Sequence, residues 1–246
     1  MTIDLNADVG EGMNDEPLLA YVTSVNVACG MHAGDPSAID RVTAQAASRG
    51  LNIGAHPGYA DRANFGRAPV EMPPTDLENL ILFQLGAVAG FARSHGAALV
   101  HVKPHGALYH RAAASLEVAR AVAAATKRFD PGLVLIGPPG SYLIEAGAGA
   151  GLRVVAEAFA DRRYLPNGSL VPRNQTGALL EDPEEAAKQC LSIEREGVVV
   201  ALDGSRIEIH ADTICLHADT PGAALIAARI SERLKTEHVP VAPMRR

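Results

Sequence analysis

Short apolar runs recur along the chain at residues 3–9, 25–29, 51–56, 99–103, 133–137, 154–159 and 214–217. Their lengths suit strands. The stretches between them repeat Ala, Leu, Ile and Val every three or four residues, as in Leu77, Leu80, Ile81, Leu85 and Val88, or Leu116, Val118, Ala119, Val122 and Ala123. That spacing predicts helices. Strand and helix alternate, so the sheet is predicted to be parallel. One exception is the pair of runs at 198–202 and 207–210 around Asp203-Gly204, which reads as an antiparallel hairpin added to the main sheet.

A parallel strand covered by helices on both faces should be apolar throughout. These strands are not. Leu5, Ala7 and Val9 alternate with Asp4, Asn6 and Asp8; Val25 and Val27 flank Asn26; Ile53 and Ala55 alternate with Asn52 and His56. Val100 and Val102 alternate with His101 and Lys103, and Ile214, Leu216 and Ala218 with Thr213, Cys215, His217 and Asp219. Side chains point alternately across a sheet, so each strand has one apolar and one polar face. If the sheet closes into a barrel, the apolar faces meet the helices and the polar faces line the lumen, with each strand's last residue at the upper mouth. Burying an unpaired amide or hydroxyl costs roughly 1–3 kcal/mol, so these groups need either a chemical role or a self-satisfied hydrogen-bond network. The network reading suits Asp4, Asn52 and His101, deeper in their strands. The strand ends are the better site candidates.

Composition narrows the function classes. At 246 residues the chain fits a single α/β domain spanning 1–246, with no repeat or linker to divide it. Net charge is −6, aromatics make up 4% and Trp is absent, so neither a basic patch nor a base-stacking platform points to nucleic acid. Neither a signal peptide nor a membrane-length apolar run is evident, which makes the cytoplasm the expected compartment. Cys29, Cys190 and Cys215 are an odd, widely spaced set, read as reduced, buried and small.

The chemistry-bearing motifs follow the strands. Asn6-Ala-Asp8-Val-Gly10-Glu11 brings two carboxylates around a glycine turn, an arrangement suited to proton transfer or metal binding. His32 precedes Asp35-Pro36, where Asp35 is equally well explained as a helix cap. His56 closes the third strand, and the loop after it carries Arg62 and Arg67, either of which could meet an anionic group or simply be solvated. Lys103-Pro-His105 sets a cation beside an imidazole, and residues 165–173 read as a candidate lid. His95, His110, His210 and His238 are expected to be solvated. Gly147-Ala-Gly149-Ala-Gly151 misses the dinucleotide spacing, and neither a phosphate loop, a nucleophile elbow nor a zinc-protease helix occurs.

In order along the chain, Asn6-x-Asp8-x-Gly10-Glu11, Ser24-Val-Asn26-x-x-Cys29-Gly30-x-His32-Ala-Gly34-Asp35, Gly54-Ala-His56-Pro57, Val102-Lys103-Pro104-His105-Gly106-Ala-Leu-Tyr109, Glu157-x-Phe159-x-Asp161-Arg162-x-Tyr164 and Cys215-x-His217-x-Asp219 resemble the LamB/YcsF family, the A subunits of bacterial ATP-dependent 5-oxoprolinases. One departure is Ala68, where the family often has an Arg. The resemblance implies an irregular seven-stranded β/α (TIM-like) barrel similar to glycoside hydrolase and deacetylase barrels. It also implies opening of 5-oxo-L-proline to L-glutamate with ATP as co-substrate, and B and C subunits as partners.

On this reading Asp8, Glu11, His56, Lys103 and His105 are the candidate catalytic residues. Asp8 or Glu11 would act on water, the histidines would shuttle protons and Lys103 would stabilise an oxyanion. Asn6, Asn26, His32, Arg67, Glu157, Arg162 and Asp219 are the candidate substrate-binding residues, and any metal would use Asp8, His32, His56 or His105. The competing expectations are a metal-dependent amide hydrolase or carbohydrate deacetylase acting alone, and a non-catalytic ligand-binding subunit.

Overall fold

The structure, a computed structural model, describes residues 2–245; Met1 and Arg246, the ends of the expected domain, lie outside the described residues. Seven strands form the sheet: β1 (Asp4–Val9), β2 (Ser24–Ala28), β3 (Asn52–His56), β4 (Leu99–Val102), β5 (Val134–Gly137), β6 (Arg153–Phe159) and β9 (Thr213–His217). They close into a parallel barrel in that order, with β9 returning to β1 so that Asn6 lies opposite Cys215 and Asp8 opposite His217. The expected hairpin is β7 (Val198–Val200) paired antiparallel with β8 (Arg206–Glu208). It interrupts the chain between β6 and β9.

Local chemistry starts the helices. Asp35 caps α1 (Pro36–Ser48) by accepting from the Ala38 amide, and proline fixes the first position. The structure therefore explains Asp35 by capping. Asp182 caps α6 (Pro183–Glu196) through the Glu184 and Glu185 amides, and Gly197 ends it in the left-handed region. The remaining helices are α2 (Pro74–Ser94), α3 (Gly106–Ala114), α4 (Leu116–Phe129), α5 (Tyr142–Gly149) and α7 (Ala223–Thr236). Among the described residues, no helix is long and apolar enough to cross a membrane.

The two faces of the barrel separate as the alternation predicts. Leu5, Ala7, Val25, Val27, Ile53, Ala55, Val102, Ile214 and Leu216 are buried in one large apolar cluster with the inner faces of the helices. The lumen holds Asp4, Asn6, Asp8, Ser24, Asn26, His56, His101, Lys103, Glu157, Thr213 and Cys215, all buried. One sector of the lumen is apolar. There Val134 and Ile136 of β5 pack with Val155 and Met244 as a second cluster. Met244 also donates its amide to Asp4 Oδ1 (3.3 Å) and accepts from Asn52 Nδ2 (2.7 Å), closing the lower end of the barrel. Gly54 lies on the lumen side of β3 because the His101 ring crosses there; a Cβ would fall 2.0 Å from His101 Nε2.

Candidate active site

A cavity of about 770 Å³ opens at the carboxyl mouth of the barrel, lined by Asp8, Glu11, His56, Lys103 and His105. Phe159, Arg162, His217 and the segment 169–174 complete its wall. The predicted lid thus does border the mouth. All five candidate catalytic residues line the cavity, as do Arg67 and Arg162. Asn6, Asn26 and Glu157 lie in the layer beneath, where they hold the floor by hydrogen bonds.

That floor centres on Lys103. Its Nζ donates to Asp8 Oδ1 at 2.9 Å and lies 2.8 Å from Glu157 Oε1 and 3.0 Å from Cys215 Sγ. Burial alone would lower the lysine pKa, but the Asp8 and Glu157 carboxylates hold it well above the ordinary value, so the ammonium persists. Burial would raise the Asp8 pKa; His56 and Lys103 overcome that and hold its carboxyl well below the usual range. Glu157 also accepts from the Tyr109 hydroxyl at 3.0 Å.

Beside the floor, three imidazoles surround Glu11. His56 Nδ1 lies 2.7 Å from the Lys103 carbonyl and His105 Nε2 lies 2.8 Å from the Phe65 carbonyl. A carbonyl only accepts, so each of these nitrogens carries hydrogen. His56 Nε2 and His105 Nδ1 then face each other at 3.0 Å, and neither can accept from the other unless a proton lies between them. Glu11 Oε1 sits 3.2 Å from His105 Nδ1 and 3.8 Å from His56 Nε2, and Asp8 Oδ2 is 3.3 Å from His56 Nε2. Four electron-rich atoms converge, and only a cation between them, a shared proton or a metal ion, can reconcile them. His32 lies behind this group, stacked on His105 at 3.7 Å, with Nε2 3.0 Å from Glu11. Burial lowers its pKa to about 4, so it is neutral.

A third unit lies outside the predicted set. His217 Nδ1 donates to Asp161 Oδ1 at 2.9 Å, and the Asp161 carboxylate also accepts from the His217 amide and the Thr220 hydroxyl. Burial would raise the Asp161 pKa, yet the adjoining His217 imidazole and these bonds lower it to about 2. His217 Nε2 is left 3.8 Å from Asp8 Oδ2. The sequence motif points to Asp219 instead, but the strand ends at His217 and Asp219 lies beyond it, at the rim. Alternation puts His217 on the polar face, which is the usable signal. Arg173, which bonds Asp219 at 3.0 Å, carries no signal beyond its place in the lid.

The rim is cationic. Arg67 also binds Asp219, at 2.7 Å. Arg62 instead ties its loop to the Gly30 and Gly34 carbonyls, a structural role. Arg162 is only 4% exposed, donates Nη2 to the Val171 carbonyl and leaves Nε without a protein partner. Burial, then the Arg173 charge, lower its pKa to about 10. His110, predicted to be solvated, is exposed and borders the cavity.

Among the described residues, two groups have metal-ligand spacing. In the Asp8, Cys215 and His217 group the Lys103 ammonium already bonds Asp8 and the thiol. The Cys215 pKa is pushed well up by burial and by Asp8, which keeps the sulfur protonated and unfit as a ligand. The Glu11, His32, His56 and His105 group has no such obstacle.

Comparison with known proteins agrees with the motifs. The chain is 50% identical to the A subunit of a 5-oxoprolinase from Methylococcus capsulatus, covering 99% of this chain and 96% of that one. It is 47% identical to the corresponding 5-oxoprolinase chain of Nocardia farcinica, with 98% of each covered. A lactam utilization protein of Thermus thermophilus, solved by crystallography, superposes with a TM-score of 0.93 at 43% identity, covering 99% of this chain and all of that one. The catalytic domain of a peptidoglycan N-acetylglucosamine deacetylase from Eubacterium rectale shares the fold alone, at a TM-score of 0.54 and 11% identity, covering 99% of this chain and 88% of that one. The LamB/YcsF family pattern matches residues 3–246, and the chain belongs to that family.

Proposed function

We propose that this chain opens 5-oxo-L-proline to L-glutamate within an ATP-dependent 5-oxoprolinase, serving as its A subunit and acting in the cytoplasm with B and C subunits. ATP is the co-substrate of the complex. The observation that carries this reading is the buried Lys103 ammonium, fixed by Asp8 and Glu157 at the floor of the cavity. A five-membered lactam is a poor electrophile, and ring opening concentrates charge on its oxygen. A preorganised ammonium in a water-poor site stabilises that charge.

The other groups fall into place around it. Arg162 receives the substrate carboxylate. Asp8, too weak a base at its lowered pKa to take a proton, orients the attacking water. His217, held by Asp161, accepts the proton of that water and passes it to the ring nitrogen as the C–N bond breaks. A cation held by Glu11, His56 and His105 would add positive charge next to the reacting centre. Phosphoryl transfer from ATP, shared with the partner subunits, activates the lactam oxygen beforehand; breaking the C–N bond then leaves the acyl phosphate of glutamate, and a second water releases phosphate and glutamate.

Reconstitution with the B and C subunits tests the reading, with glutamate and phosphate measured as each of the three chains is omitted. Glutamate should require all three chains and ATP, and Lys103→Ala should abolish it. Ring opening or deacetylation by this chain alone, without ATP, would replace the proposal with the solitary hydrolase. Unchanged turnover after Asp8→Asn with His105→Ala would leave only a ligand-binding role.

A further inference from the structure

The pair of facing imidazoles raises the question of which cation they share. We propose that it is a divalent transition-metal ion of the zinc class, held by Glu11 Oε1, His56 Nε2 and His105 Nδ1, with an open position facing the cavity beside Asp8. It occupies the pocket assigned above to lactam opening, but its test reads metal and not turnover, so either idea can fail without the other.

The spacing of the three atoms fits. Zinc bonds nitrogen and oxygen at roughly 2.0–2.2 Å, so tetrahedral ligand atoms lie about 3.3–3.6 Å apart. Here the three edges are 3.0 Å (His56 to His105), 3.2 Å (Glu11 to His105) and 3.8 Å (Glu11 to His56). The two rings stand at 87° to each other, which allows one ion to lie in both ring planes. Each ring donates its far N–H to a main-chain carbonyl, the outer contact that fixes tautomer and orientation in histidine ligands.

Stacking decides against His32. Its ring is parallel to His105 within 4° at 3.7 Å, so an ion in the plane of His105 lies well out of the plane of His32. His32 instead donates Nε2–H to Glu11 and positions that ligand. Of the four residues expected from sequence to hold a metal, His56 and His105 remain, while Glu11 takes the place of Asp8 and His32.

The test uses the full chain, stripped with a chelator and titrated with Zn²⁺ or Co²⁺. Elemental analysis should give one equivalent per chain, and the Co²⁺ form should show the intense visible bands of a low-coordinate nitrogen and oxygen site. Glu11→Gln, nearly the same shape, should lose the ion while keeping the wild-type circular dichroism. His32→Ala should weaken metal affinity by about 10–100-fold and retain the Co²⁺ bands, as a positioning residue would. Less than a tenth of an equivalent in wild-type protein, both as isolated and after titration, overturns the proposal in favour of a shared proton. So does full binding by a folded His56→Ala, His105→Ala double variant.

Discussion

His56 Nε2 and His105 Nδ1 face each other at 3.0 Å, each with its remaining ring nitrogen committed to a main-chain carbonyl. Neither ring can turn away without giving up its hydrogen bond to a main-chain carbonyl. An ion held there binds the folded chain and not the unfolded one. At a free concentration of a hundred times its dissociation constant it adds about 2.7 kcal/mol of stability. Calorimetry should therefore show the melting temperature falling by roughly 5–10 °C on chelation, and a much smaller change for Glu11→Gln.

Lys103 holds two carboxylates, Asp8 and Glu157, within 2.9 Å. Removing one partner of a buried ion pair typically costs about 3–5 kcal/mol, because the other charge is stranded. Lys103→Met should lose that much in denaturant unfolding, and ring opening with it. Lys103→Arg should rescue neither, since the planar guanidinium cannot reproduce the compact set of contacts to Asp8, Glu157 and Cys215.

Asp161 has its pKa lowered from 3.8 to about 2 in the fold. A depressed carboxyl stabilises the fold above its unfolded pKa and loses that contribution as pH falls through the folded value. The shift corresponds to roughly 2 kcal/mol. Asp161→Asn should be less stable than wild type by about that amount at pH 7, with the gap closing between pH 4 and pH 2. Its turnover should drop by about 10²–10⁴-fold, because His217 loses its tautomer and its orientation. Wild-type turnover in this variant would remove His217 from the mechanism.

Burial lowers the His32 pKa to about 4 and the His101 pKa to about 3, both from 6.5. In the unfolded chain these rings bind protons below pH 6.5, whereas the folded chain keeps them neutral, so stability rises with pH in that window. Urea unfolding midpoints should fall steadily from pH 7 to pH 4. In His101→Leu the slope should be shallower, even though the protein is weaker at pH 7 with Asn26 Oδ1 left without its imidazole donor.

Gly54→Ala should destabilise the barrel by about 1–3 kcal/mol or more, since the new Cβ meets the His101 ring at 2.0 Å and β3 cannot yield in a closed sheet. Combining it with His101→Ala should recover part of the loss. Additivity of the two effects in thermal unfolding would show that the contact is unimportant.

Much of the fold is legible in sequence because one physical signal, alternation, serves twice. Leu5 and Ala7 announce a strand, and Asn6 and Asp8 announce that its other face needs a purpose. Strand ends move by a residue: β4 ends at Val102 and not Lys103, because the following backbone turns where Lys103 donates its amide to the Ala55 carbonyl. The site is legible in its members and less so in its pairings. Asp219 reads as a floor residue in sequence, since nothing local shows that it meets Arg67 and Arg173 from distant loops. Glu11 and His56 are 45 positions apart in sequence, and their common focus exists only once the barrel has closed. His217 is visible on the polar face, yet its partner Asp161 comes from another strand end.

Beneath the cavity the two lumen amides link His101 to the buried carboxylates in one directed chain of hydrogen bonds. His101 donates to Asn26 Oδ1, Asn26 donates to Asn6 Oδ1 and to Asp8, and Asn6 donates to Glu157 and to Thr213, which donates in turn to Asp4. Flipping either amide would set donor against donor, so the sequence of dipoles has a single allowed polarity. The barrel interior thus behaves as a permanently poled medium. Its local field at Asp8 and Lys103 is set when the chain folds and needs no rearrangement when charge moves above it.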